Sequence, residues 1–320
     1  MHKPFKLLRV IRCQYLNLRP IIEKQEFTGY VQFFNSEANE LIKLKILEGK
    51  PLMVSKFGTV ELSTLRNFIS INRKTKFKNI INYIKGKDFA WWWETIEYLS
   101  NNAGVFPQTE QMAENFSKLM IEDINEIDIL GSYIKEEKDF EINLNSVVKI
   151  NLDGYLTPFF YENPWTEALK GKKVLVIHPF EESIKNQYNK RKLLFENQNV
   201  LPEFELITIK AVQSIGCQHV DFNDWFEALN FMKEQINNID FDIALIGCGA
   251  YGLPLSAHIK RIGKQAIHLA GWTQVLFGIS GRRWEVHDTR MKYLINEHWV
   301  HPLESEKPNK IELIEDGCYW

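Results

Sequence analysis

The stretch IGCGAYG sets Gly247, Gly249 and Gly252 in a G-x-G-x-x-G spacing at the end of an apolar run, with Pro254 just beyond. A strand that runs into glycines and then a helix presents backbone N–H groups at a positive helix end, which suits a phosphate. Glycine also lets a ligand approach the main chain, with Ala250 and Tyr251 carried in the same turn. Three readings fit: a dinucleotide, another phosphorylated ligand, or close strand–helix packing. A dinucleotide site needs an acid about 20 positions further on to hold the ribose. Here the next apolar run ends His268-Leu269-Ala270-Gly271, without a carboxylate. An NAD(P)-dependent oxidoreductase is therefore a third-ranked reading.

A second junction lies in SKFGTVEL, where Phe57 and Gly58 close an apolar run and Thr59 and Glu61 open a helical pattern. A carboxylate at the carboxyl end of a parallel strand can hold a divalent ion, Mn²⁺ or Mg²⁺, against a diphosphate. The same Glu61 also suits a first helical turn by offsetting the helix dipole. His178 follows the run VLVI and is a candidate base or phosphate donor, or a capped structural histidine. Ser183, Gln187 and Arg191 recur every four residues, either as a ligand-facing row or as a polar outer helix face.

In GWTQVLFGISGRRWE, Gly271, Gly278 and Gly281 predict a structured loop in place of a regular helix. Its donors Gln274, Arg282 and Arg283 suit a diphosphate, and Trp272 or Trp284 a stacked ring. Trp91, Trp92 and Trp93 in FAWWWETIEYL are consecutive, so on a helix they cannot all face one way. They serve the core, carbohydrate stacking or a subunit contact, the last implying a homodimer. Asp153 lies in a glycine-containing turn, where it can act as an acid/base group or bond its own backbone.

The elements that must position these residues alternate. Short apolar runs (PLMVSKFG, IDILGSYI, KKVLVIHPF, FELITIKAV, FDIALIGCG, KQAIHLAG) read as strands. Between or before them, ANELIKLKILEGK, TVELSTLRNFI, FKNIINYIKG, TEQMAENFSKLMIEDIN, EESIKNQYNKRKLLFENQ, FNDWFEALNFMKEQINNI and GLPLSAHIKRIG read as helices. Such alternation predicts an α/β fold, a doubly wound, mostly parallel Rossmann-like sheet with a helical N-terminal part. The expected organisation is a helical segment over 1–50, an α/β domain over 51–300 with a turn-like seam at 163–172, and a tail over 301–320.

Bulk properties narrow the partners. The 320 residues are 45% hydrophobic and 25% charged, ordinary for a globular chain with a sizeable core. A formal net charge of −2 supplies no basic field for nucleic acid. The four cysteines have no C-x-x-C spacing, which fits reduced thiols in a cytoplasm. No apolar run reaches the ~18 residues of a membrane span. Arg9, Arg12 and Arg19 interrupt any signal-peptide core, leaving a terminal helix or strand, or a basic amphipathic element at a membrane surface. No nucleophile elbow, P-loop lysine or H-E-x-x-H supports a hydrolase, kinase or zinc enzyme.

The two glycine-bearing junctions together resemble the GT-D-type glycosyltransferases, bacterial enzymes that use nucleotide sugars. Those enzymes carry R-[FY]-G-D-G-E at an early strand end, where this chain has SKFGTVE. Later they carry a Gly-rich turn, a helix and G-x-Q-A-[IL]-D-x-G, where this chain has IGCGAYGLPLSAHIKRIGKQAIHLAG. The resemblance spans about Pro51 to Trp284 and rests on these two phrases. It implies that Glu61 is the metal-binding acid, that Lys56 replaces the family's Arg, and that Thr59 and His268 stand where the family has acids. It implies a glycosyltransferase of polysaccharide biosynthesis, acting from a nucleotide-diphosphate sugar onto a glycan or lipid-linked acceptor. Catalytic roles fall to Glu61, His178 and Arg283, and donor contacts to Phe57, Gly58, Thr59, Gly247, Gly249, Ala250, Tyr251, Gly252, Gly271 and Gln274. The runner-up is a non-catalytic nucleotide-sugar binding protein with a degenerate site.

Overall fold

A computed structural model describes residues 3–18, 30–73, 77–217, 220–308 and 317–320. Among the described residues seven strands form one sheet: β1 (Leu52–Ser55), β2 (Ile129–Gly131), β3 (Val148–Ile150), β4 (Lys173–His178), β5 (Glu205–Lys210), β6 (Ile243–Ile246) and β7 (Gln265–His268). Their order is β3-β2-β1-β7-β6-β4-β5, and every pair is parallel. The central strands are continuous apolar runs because both faces are covered. Along β4 and β6, Leu175, Ile177, Ala244 and Ile246 join one buried cluster and Val174, Val176, Ile243 and Leu245 the other.

The first face is covered by the helices Thr59–Asn72, Glu110–Asp123, Trp225–Asn237 and Gly252–Arg261. The second is covered by Asn35–Leu47, Leu152–Leu156, Glu181–Tyr188 and Trp272–Leu276. Connections from β1 to β2, β5 to β6 and β6 to β7 run over the first face, and those from β3 to β4 and β4 to β5 over the second. A uniform crossover hand requires this division. The direction reverses between β4 and β6, and open α/β sheets bind ligands at the carboxyl ends flanking such a reversal. The expected seam is bridged by the turn Trp165–Leu169, which leads from one half into the other within the single sheet.

Several local readings change. β3, only three residues long, carries too little pattern to be seen in advance. EESIKNQYNKRKLLFENQ is two helices, Glu181–Tyr188 and Arg191–Leu194. Ser183 and Gln187 face neither ligand nor solvent: both are buried, Ser183 bonded to Glu306 and Gln187 to the carbonyls of Gly278 and His298. Arg191 pairs with Glu203 at 2.8 Å. The three tryptophans precede the helix Ile96–Ala103, and Trp91 and Trp92 pack edge-on against Tyr83. The glycine-rich loop contains the short helices Trp272–Leu276 and Arg282–His287, joined through Gly278 at φ 65°. Asp153 is held by Tyr161 and Arg290, both at 2.6 Å. The terminal stretch forms a helix, Lys3–Leu18, whereas Arg19 lies outside the described residues. Among the described residues no helix is long and apolar enough to cross a membrane.

Candidate functional site

A cavity of about 310 Å³ opens at the carboxyl edge of the sheet, over the ends of β1, β7, β6 and β4. Gly58, Thr59 and Glu61 line one part of it and Gly247, Cys248 and Gly249 another. Two turns almost two hundred positions apart in sequence thus share one space, because β1 pairs with β7 and β7 with β6.

On the β1 side, Gly58 is the N-cap of Thr59–Asn72 and offers no side chain to the helix's first N–H groups. Glu61 folds back over it: a Cβ at position 58 would fall 1.9 Å from Glu61 Oε2. Among the described residues Glu61 is the only Asp or Glu lining the cavity. Lys56 also lines it, its ammonium 5.2 Å from the centre of the Tyr133 ring, and the Tyr133 hydroxyl donates to the Phe57 carbonyl at 2.8 Å. Tyr133 is placed by the buried carboxylate of Glu137, which accepts from the Ser132 hydroxyl and from the Tyr133 and Ile134 N–H groups at 3.2 and 3.0 Å.

The three glycines of G-x-G-x-x-G serve three needs. A Cβ on Gly247 would meet the Ala270 carbonyl and Thr273 Oγ1, each at 2.5 Å, so this glycine admits the next strand's exit. Gly249 has φ 57° with open space where a Cβ would stand, and faces the cavity. Gly252 makes room for His268, whose Nε2 would be 2.1 Å from a Cβ there. Gly249 thus leaves its main chain open to the cavity, while Gly247 and Gly252 allow close packing.

Among the described residues two histidines line the cavity, and both are neutral. His178 accepts a hydrogen bond at Nδ1 from the Phe180 N–H at 3.0 Å, so its proton resides on Nε2. Burial lowers its pKa to about 3. It is therefore a neutral N–H donor, not the near-neutral base expected from its residue type. His268 is also lowered to about 3, by burial and then by the charge of Lys56. Its Nδ1 lies 3.1 Å from Ser55 Oγ. Burial likewise raises the Cys248 thiol well above its ordinary value, which keeps it protonated and poorly nucleophilic.

The far wall comes from residues near the end of the sequence. Tyr319 and Trp320 line the cavity beside Arg283, Gln274 and Gly271. Arg283 donates from its backbone to the Cys318 carbonyl and from its guanidinium to the Tyr319 hydroxyl, both at 2.8 Å. Gln274 Nε2 donates to the Tyr319 carbonyl at 3.0 Å, so this buried amide holds the wall together.

Of the residues expected at the site, Gly58, Thr59, Glu61, His178, Gly247, Gly249, Tyr251, Gly271, Gln274 and Arg283 line the cavity. Phe57, Ala250 and Gly252 do not; Phe57 and Ala250 are buried in the core. Tyr251 stacks on Trp225 at 4.8 Å and shares a 3.0 Å hydrogen bond with Ser214. Arg282, Trp272 and Trp284 also lie off the lining. Sequence reasoning missed Tyr133, Ser214, Tyr319 and Trp320, which no local motif marks.

The donor set does not suit a protein-built metal centre. No group of three His, Cys, Asp or Glu residues among the described ones is arranged to hold an ion. Among the described residues Glu61 is the single carboxylate in a cavity that also holds Lys56 and Arg283. Mg²⁺ and Mn²⁺ favour several oxygen ligands.

No family model, curated protein or solved structure matches this chain.

Proposed function

We propose that the chain is a GT-D-like glycosyltransferase that takes a sugar from a nucleotide diphosphate. The observation that carries this reading is the convergence of Gly58–Glu61 and Gly247–Gly249 on one cavity that also holds Lys56 and Arg283. First-turn N–H groups, an ammonium and a guanidinium favour an anionic diphosphate. The His178 Nε2–H adds a neutral donor that desolvation makes effective. In transfer, an acceptor hydroxyl oxygen bonds to the sugar's anomeric carbon while the bond to the diphosphate oxygen breaks. The Glu61 carboxylate takes the hydroxyl proton, and Lys56, Arg283 and the helix ends offset the charge left on the diphosphate. The acceptor is a glycan or lipid-linked saccharide, and a cytoplasmic site would supply the donor.

The test is titration of UDP- and GDP-sugars by calorimetry, with and without Mn²⁺, followed by assay of donor hydrolysis and transfer. Absence of binding at millimolar concentration overturns the reading. A second reading, a nucleotide-sugar binding protein without catalysis, is favoured by the lone Glu61 and by two histidines held neutral. Binding without turnover, unaltered in Glu61→Gln, selects it.

A further inference from the structure

The wall made by Cys318–Trp320 is fitted to the site by several residues. A Cβ on Gly271 would stand 2.6 Å from the Tyr319 ring, and one on Gly281 would stand 2.6 Å from the Tyr319 carbonyl oxygen. The spacing of these two glycines therefore creates a seat for Tyr319. Gln274 and Arg283 fasten its main chain, and Trp284 packs edge-on against its ring at 5.8 Å. Trp320 then reaches across to Phe180, 6.0 Å away, the residue whose N–H sets the tautomer of His178. Tyr319 and Trp320 both line the cavity. Lys56 and Gly58–Glu61 follow β1, whereas Phe180, on which Trp320 packs, follows β4, with β7 and β6 between them.

The cavity thus has an ammonium and a helix N-terminus past β1 and the Trp320 ring system past β4. We infer that Tyr319 and Trp320 are specificity-determining residues that bind the planar base of a nucleoside diphosphate, while the sheet-edge turns bind its phosphates. The inference rests on the nucleotide-diphosphate reading of the same cavity and adds which end of the ligand the wall recognises. Base–aromatic stacking tolerates either a purine or a pyrimidine, because every base offers a π-face.

The experiment is calorimetric titration of the full chain and of Trp320→Ala, Trp320→Phe and Tyr319→Phe with UDP, GDP and inorganic pyrophosphate. Trp320→Ala is expected to weaken UDP and GDP by about tenfold or more and to leave pyrophosphate within about twofold. Trp320→Phe is expected to recover most of the loss, since it retains a ring. Tyr319→Phe removes the hydroxyl bonded to Arg283 while keeping the ring, and is expected to change UDP and GDP affinity less than Trp320→Ala does. Equal weakening of all three ligands by Trp320→Ala, or no weakening, overturns the inference. A full chain that binds pyrophosphate but gains nothing from the nucleoside overturns it too and leaves the anion site standing. Binding of none of the three overturns the nucleotide-diphosphate reading as well.

Discussion

The carboxylate of Glu61 occupies the place where a side chain at position 58 would begin, with Oε2 1.9 Å from the ideal Cβ of Gly58. The glycine is needed for space, since its φ of −84° is open to any residue. Gly58→Ala is therefore expected to swing the carboxylate out of the cavity at little cost to the fold, within about 1 kcal/mol. If Glu61 takes the acceptor's proton, this variant should lose turnover nearly as fully as Glu61→Ala while its Tm stays close to wild type. Parallel assays of turnover and thermal unfolding check it.

The glycines at 247 and 249 should fail in different ways. Gly247→Ala sets a methyl against a backbone carbonyl at 2.5 Å and should destabilise the chain by about 1–3 kcal/mol through overpacking. Gly249→Asn meets nothing and keeps a residue type that tolerates positive φ. It should therefore leave urea stability nearly unchanged while reducing nucleotide affinity.

Gln274→Ala deprives the Tyr319 carbonyl of its 3.0 Å donor. Leaving such groups unpaired costs about 1–3 kcal/mol. The expected result is faster hydrogen exchange over 317–320 and at Arg283, with the central strands unchanged.

Acid should weaken the fold through the histidines. His178 and His268 have folded pKa values lowered from 6.5 to about 3, and His258 one lowered to about 4, in each case chiefly by burial. Below pH 6.5 the unfolded chain binds protons that these rings refuse, so stability falls as pH drops toward 3. Each such proton contributes about 1.4 kcal/mol per pH unit. Asp123 works the other way: burial raises it to about 6, so below that pH the folded state takes up a proton that the unfolded chain does not yet hold. Urea denaturation between pH 7.5 and 4.5 should show declining stability, and His178→Gln should make the decline shallower.

Nucleotide affinity should not depend on added Mn²⁺, since among the described residues no second carboxylate joins Glu61 in the cavity. Titration of UDP with EDTA, and again with Mn²⁺, measures this directly. A gain of tenfold or more with metal would mean that nucleotide oxygens supply the ligands missing from the protein.

The sheet could be read from the sequence because VLVI and IALI are too apolar for any exposed position, so strands at 174–177 and 243–246 followed from composition alone. Both sheet-edge turns were marked by glycines after such runs. What local reading could not supply was the partner across space. Ser183 and Gln187 have the four-residue spacing of an outer helix face, yet Glu306 and the Gly278 carbonyl cover them. His178 has an ordinary histidine's chemistry until Phe180 and the surrounding core withdraw its water. Gly271 and Gly281 resembled loop punctuation because Tyr319, whose ring the first accommodates and whose carbonyl the second does, arrives some forty positions later.

The pairing of β1 with β7 has a consequence for biosynthesis. Leu52 pairs with Gln265, so a strand made early waits for one made late. Until then one edge of β1 is an open hydrogen-bonding template in a nascent chain, a state prone to self-association. Truncation before β7 should therefore yield insoluble material with no usable half-site.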